Sequence, residues 1–331
     1  MNQPLRTAWI LLLVAGAAAV PALRAQTAQV RAKVSNTLPH YQPQAKIRTV
    51  LEILSSDALA ELGEEWAKAF QSFQPEGQIQ YRSRPVVEVV KALVEGASAL
   101  VITGREITAE EAQAFQKKFG FAPMRIPICL DANIVFVHKN NPLNSITLEQ
   151  LDAIYSRTRL GGAKAPIVVW GDLGVRGDLA KRPINAYARK AGDATRDSFA
   201  ALAMLRGEFR PGILERDETA QLAEAILGDP AGIAFGPLNS WYTANKVLAV
   251  APFKAEDGRL PTQEMVTSSR YPMPRLYYAY VNRPPGKPLD PALNEALHFM
   301  LSQEGQSAAA DAGLLPGPVE FIAIALKRLE R

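Results

Sequence analysis

Arg189-Lys190-Ala191-Gly192-Asp193-Ala194-Thr195-Arg196-Asp197-Ser198-Phe199 reads as the end of a strand, a short loop and the start of a helix. A strand entering a helix through so short a loop is the unit from which α/β folds are built. The first N–H groups of such a helix have no partner inside it, so the turn attracts anions. Arg189 adds a charge and Thr195 a hydroxyl donor to a ligand oxygen. The plainer reading is that Asp193 caps a helix that carries Phe199, Leu202 and Leu205 inward. The eleven residues alone leave both readings open.

Working outward, apolar runs of strand length alternate with helical patterns from residue 46 onward. Thr49 to Leu54 is an expected strand, with Ser55-Ser56-Asp57 expected to cap a helix that places Leu59, Leu62, Trp66, Phe70 and Phe73 on one face. Ile79 to Arg82 and Ser98 to Thr103 are further strands. Pro85 opens the helix between them and Gly96 closes it. Thr108 with Glu111 makes a capping box for a helix ending at Gly120. Asn133 to His138 is a strand that carries the chain to a second lobe. That lobe is expected to hold the Thr147 to Tyr155 helix, strands at Ile167 to Trp170, Ile184 to Arg189 and Gly232 to Phe235, and the turn at 189–199. Val247 to Val250 returns, and Leu276 to Val281 with helices at Ala292 to Leu301 and Val319 to Leu329 completes the first lobe.

At the other end, Arg6, the apolar run Ala8 to Val20 and Pro21-Ala22-Leu23-Arg24-Ala25 have the layout of a secretory signal peptide cut near Ala25. The apolar run is short for a membrane span. A periplasmic or secreted protein is expected. The chain has 37 Lys and Arg against 33 Asp and Glu, and Arg6 and Arg24 leave with the presequence, so the mature chain is close to neutral and no nucleic-acid partner is implied. Cys129 is the one cysteine and cannot form an internal disulfide; an apolar, buried position is expected for it. The divisions read are 1–25 signal peptide, 26–45 flexible lead-in, 46–137 plus 247–331 lobe I, and 138–246 lobe II.

Ten stretches in sequence resemble the exported phosphate-binding proteins of ABC transporters. Among them are Leu54-Ser55-Ser56-Asp57 ahead of Trp66, Ala99 to Arg105-Glu106-Ile107, Asp131 leading into Val135-Phe136-Val137 and Asn141-Pro142-Leu143, Arg189 to Phe199, Gly232 to Gly236, and Tyr271-Pro272-Met273-Pro274-Arg275. The resemblance implies a two-lobed periplasmic-binding-protein-like fold of type II, α/β, each lobe a mixed sheet flanked by helices. It also implies a monomer that clamps a small anion, phosphate or another oxyanion, and delivers it to an ABC permease in the inner membrane. The ligand positions it points to are Ser55, Ser56, Asp57, Ser83, Thr103, Arg105, Arg189, Asp193 and Thr195.

Four departures from the family pattern weaken phosphate specifically. Arg82-Ser83-Arg84-Pro85 lacks the glycines that let a backbone approach an anion, Gly104 offers no side-chain donor, and Asp193 and Ala194 stand where Ser and Gly are usual. Phosphate is therefore expected to bind weakly. Arg105 is expected to face the cleft or to pair with Glu106 or Glu110, and Asp131 to serve as a hydrogen-bond acceptor between the lobes. Arg82 and Arg84 read as solvated. His40, His138 and His298 lack metal-site spacing, so neither metal nor cofactor is expected. No nucleophile elbow, phosphate loop or dinucleotide fingerprint is present. The alternatives are a divergent member that has lost its ligand and serves as an interaction or sensory module, and a hydrolase built on Asp57 and Asp193.

Overall fold

The computed structural model describes residues 32–56, 59–240, 244–252 and 257–330. In chain order it begins with β1 (Val50–Ser56), α1 (Ala60–Phe73), β2 (Gln78–Arg84), α2 (Val86–Glu95), β3 (Leu100–Thr103) and α3 (Ala109–Phe119). Leu62, Trp66 and Phe70 bury one stripe of α1, and the Trp66 indole N–H donates to the Gly305 carbonyl at 2.8 Å. The Thr108–Glu111 capping box is formed, and Gly96 and Gly120 end their helices in the left-handed conformation that a side chain disfavours. Strands β2, β1 and β3 pair in parallel, so their carboxyl ends lie on one edge.

The chain then runs through β4 (Met124–Val137), β5 (Ser145–Thr147), α4 (Leu148–Tyr155), β6 (Asn185–Arg189), α5 (Ala194–Ala203), β7 (Leu214–Arg216), α6 (Thr219–Gly228), β8 (Gly232–Pro237), β9 (Lys246–Val247), β10 (Ala249–Ala251), α7 (Gln263–Thr267), β11 (Pro274–Val281), α8 (Pro291–Met300), α9 (Gln303–Asp311), β12 (Leu315–Pro316) and α10 (Val319–Leu329). The main sheet runs β2-β1-β3-β11-β4-β8-β6-β7. This is the two-lobed α/β architecture, and β4 belongs to both halves. Its first part pairs with β11 from Met124 to Ala132, and its last part pairs with β8 from Asn133 to Val137.

β4 is longer than the expected Asn133 to His138. Pro127 in the Ile126–Leu130 run argues against a strand, because proline donates no ladder hydrogen bond. The sheet accommodates it where the pairing with β11 slips between Tyr277 and Tyr278, a bulge that leaves Ile128 as the extra residue. Cys129 is buried in this strand, and burial pushes its thiol up. Ile167 to Trp170 is not a strand: Val169 makes a single bridge to Pro183 and Trp170–Leu173 is a turn of 3-10 helix. Trp170 is pulled inward instead, its indole donating to the Ala231 carbonyl at 3.1 Å. Ser55 and Ser56 finish β1 rather than capping α1, whose cap residue is Leu59 and carries no side-chain cap bond.

One buried cluster gathers Ile53, Trp66, Phe70, Ile102, Phe299 and Ile322; another gathers Val135, Tyr155, Trp170, Phe199 and Phe235. Leu248, Val250, Val266, Tyr271 and Met273 pack in the second cluster. The lead-in, expected to be flexible, is docked over its described part. Leu38 and Tyr41 are buried in the first cluster, the Tyr41 hydroxyl and the Gln44 and Ala45 N–H groups all donate to the Glu295 carboxylate, and Lys33 exchanges two hydrogen bonds with the Gln263 side chain. The proposed signal peptide lies outside the described residues.

Candidate functional site

The end of β6 leads into α5, and Asp193 caps that helix. Its Oδ1 accepts from the Thr195 and Arg196 N–H groups at 2.9 and 3.2 Å, and its Oδ2 lies 3.3 Å from an Arg189 guanidinium nitrogen. The turn thus carries its own anion. Two of the first N–H groups of α5 and part of the Arg189 charge already answer to Asp193.

β4 and β11 lie antiparallel, with Asp131 opposite Arg275. Asp131 is fully buried. Its Oδ1 accepts from the N–H groups of Ala132 (2.7 Å) and Leu238 (2.9 Å), and its Oδ2 from the Tyr277 hydroxyl (3.3 Å) and Arg275 Nη1 (3.5 Å). Burial pushes the Asp131 carboxyl up, while Arg275 and these donors pull against it. Arg275 is buried as well. Burial opposes its charge, but Tyr277, Asp131 and Asp193 outweigh it, so the guanidinium stays charged. Its Nη1 also donates to the Thr195 hydroxyl at 3.1 Å, which joins the start of α5 to β11. Next along β4, the Asn133 amide donates to the Ser198 hydroxyl at 2.8 Å, a second tie to the same helix.

The first lobe meets this cluster through the end of β3. Ser55 lies beside Ile102 in the parallel ladder, and Ser55 and Ser56 are buried with no partner for either hydroxyl. Thr103 is buried and its hydroxyl donates to the Arg105 carbonyl at 2.6 Å. A Cβ on Gly104 would lie 2.8 Å from the Tyr277 ring and 3.1 Å from Arg275 Nη2. Arg105 pairs with Glu111, not with the Glu106 or Glu110 side chain: two guanidinium nitrogens lie 2.9 and 2.8 Å from its carboxylate oxygens. The hydrogen bonds to Glu111 raise the Arg105 pKa against the opposing effect of burial, and the Asp197 carboxylate adds a smaller push in the same direction.

Of the residues expected from sequence, Thr195 contacts Arg275 directly, Asp193 stands next to it as the cap of α5 and holds Arg189, and Thr103 turns its hydroxyl to the Arg105 carbonyl, one residue beyond the Gly104 that lies beside Arg275 Nη2. Ser83, opposite Ser55 in the β1–β2 ladder, is exposed, and Arg82 beside it pairs with Glu52 at 2.6 Å. Asp57 lies outside the described residues. Reasoning from sequence named neither Arg275 nor Asn133 as a site residue. The signal for Arg275 was a charged residue opening the apolar strand Leu276 to Val281. Two surface concavities, about 430 and 570 Å³, lie away from this cluster; one is lined by Gln44, Arg283 and Glu295 and the other by His40, Glu65 and Glu304. Neither concavity gathers buried unpartnered donors, whereas Ser55, Ser56 and Arg275 all carry them. Among the described residues no three His, Cys, Asp or Glu side chains are placed to hold a metal ion.

The model of the PBP superfamily domain matches residues 29–304. The chain belongs to that superfamily. It is 33% identical over 298 residues to the phosphate-binding protein PstS of Pseudomonas aeruginosa, covering 90% of this chain and 92% of that protein. An ABC-type phosphate transport receptor from Vibrio cholerae superposes with a TM-score of 0.66 at 20% identity, over 80% of this chain and 99% of the receptor. PstS from Borrelia burgdorferi gives 0.60 at 19%, over 82% and 99%. These superpositions establish the two-lobed fold and, with the sequence relatives, make the chain a solute-binding protein of the ABC-transporter type.

Proposed function

We propose that this protein captures a small oxyanion, phosphate in the first instance, between its two lobes in the periplasm and hands it to an ABC permease. One observation carries the reading: the buried, unpartnered hydroxyls of Ser55 and Ser56 at the carboxyl end of β1. In open α/β sheets ligands bind outside the carboxyl ends of strands, and β6 with the start of α5 offers the matching edge from the second lobe. Ser55 and Ser56 donate from one side and Arg189 and Thr195 from the other, by charge-assisted hydrogen bonds where arginine takes part. Ser83, Thr103 and Arg105 border that cleft in this reading.

The same reading divides the lobes inside β4 and just before β11, so that 133–273 moves against the remainder, in place of the division at 137 and 247. Cleavage near Ala25, a monomeric state and the absence of a catalytic step belong to it too. Titration calorimetry of the mature chain with phosphate tests it. Saturable binding at a stoichiometry of one is expected; no heat with phosphate, sulfate or acetate at millimolar concentration would leave the ligand-free interaction module as the better account.

A further inference from the structure

The geometry points to Arg275 as a direct anion-binding residue that takes the ligand by the Nε/Nη2 edge of its guanidinium, with Gly104 holding that edge clear. This rests on the reading of the cleft as an anion site. Arg275 is 2% exposed, yet only its Nη1 is engaged, by the Thr195 hydroxyl and the Asp131 carboxylate. Nε and Nη2 have no acceptor. Those two nitrogens form the side-on fork of the guanidinium, whose parallel N–H groups match two oxygens of one phosphate or carboxylate. The Asp131 contact is single and 3.5 Å long, and a buried charge so thinly matched is costly unless a further partner completes it. An oxyanion on the free fork supplies that partner.

Gly104 gains a physical reason from the same arrangement. By sequence it is a lost donor, but a side chain there would have its Cβ 3.1 Å from Nη2 and 2.8 Å from the Tyr277 ring. Both distances are tighter than ordinary van der Waals contact, so the ring or the fork must give way. The donor absent at 104 is supplied by Arg275, from the neighbouring strand β11. Asp131 and Thr195 hold Nη1 and so fix which edge of the guanidinium stays free.

Three measurements on the mature chain test this with inorganic phosphate as probe. Arg275→Lys keeps the charge and loses the fork, and is expected to weaken phosphate binding by about 10- to 100-fold, the worth of one or two charged hydrogen bonds. Gly104→Ala, which leaves every charge in place, is expected to weaken it as well. In nitrogen-15 NMR the Nε–H signal that is missing from Arg275→Lys is expected to move when phosphate is added to the parent chain. The NMR signal separates ligand contact from a merely structural role if Arg275→Lys folds poorly. Undiminished affinity in both variants, or an Nε–H signal indifferent to saturating phosphate, would overturn the proposal while leaving the function standing. A parent chain that binds no oxyanion would remove both.

Discussion

Asp131 and Arg275 lie opposite each other on the antiparallel strands β4 and β11, both buried, joined by Arg275 Nη1 to Asp131 Oδ2 at 3.5 Å. Asp131→Ala strips the guanidinium of its one carboxylate partner and leaves the Ala132 and Leu238 N–H groups without their acceptor. Removing one member of a buried ion pair costs about 3–5 kcal/mol. Urea unfolding of Asp131→Ala is expected to show a loss of that size, and a loss under 1 kcal/mol would mean that the pair is not structurally coupled to the fold.

Ligand is expected to draw the lobes together, because a site shared between them gains its full contact set only on closure. Small-angle scattering with saturating phosphate should give a smaller radius of gyration than without. An unchanged profile, with binding confirmed by calorimetry, rules out a hinged cleft.

Asp193 acts as a resident anion at the start of α5, so relieving it is expected to strengthen phosphate binding. A carboxylate about 4 Å from a ligand charge at an effective dielectric near 20 opposes it by about 4 kcal/mol. Asp193→Ser with Ala194→Gly keeps a capping side chain while releasing Arg189. Calorimetry at one pH and salt should show at least tenfold tighter binding for the double variant. Weaker binding would identify Asp193 as an acceptor for a protonated ligand oxygen.

Glu295 fastens the lead-in by accepting from the Tyr41 hydroxyl and from the Gln44 and Ala45 N–H groups. Glu295→Ala leaves these donors unsatisfied, at a cost of about 2–4 kcal/mol. Trypsin is expected to cut at Lys46 much faster in the variant, and equal cutting rates would show the anchor to be dispensable.

The Arg105–Glu111 pair sets a pH dependence. Burial pushes the Glu111 carboxyl up, but the hydrogen bonds from Arg105 and the Thr108 N–H outweigh it and hold it below the ordinary value of 4.5. A carboxyl depressed in the folded state adds stability above its unfolded value and loses it as pH falls through the folded one. Between pH 7 and pH 5 the contribution should be constant, and it should fade as the pH falls below about 4.5. Glu111→Gln is expected to lower stability at neutral pH and to converge with the parent in acid; parallel curves throughout would contradict this.

The sequence by itself determined what local physics decides. Hydrophobic periodicity placed α1 and the parallel strands, Pro85 and Gly96 marked the ends of α2, Thr108 with Glu111 and Gly120 placed the ends of α3, and Asp193 was legible as a cap because an Asx side chain reaches N–H groups only two and three residues on. The ordered series of short motifs supplied the two-lobed fold. The tertiary structure alone decided what depends on partners far away along the chain. Arg275 and Asp131 are 144 residues apart, and Arg275 and Thr195 are 80 apart, so no spacing rule could join them. Pro127 hid the first half of β4 because a bulge, a feature of pairing, is what admits it. Arg105 chose Glu111 over nearer carboxylates through the geometry of the capped helix start. Gly104 looked like a missing donor until the neighbouring strand put a guanidinium edge beside it, since the room a glycine leaves has meaning only once its neighbours are in place.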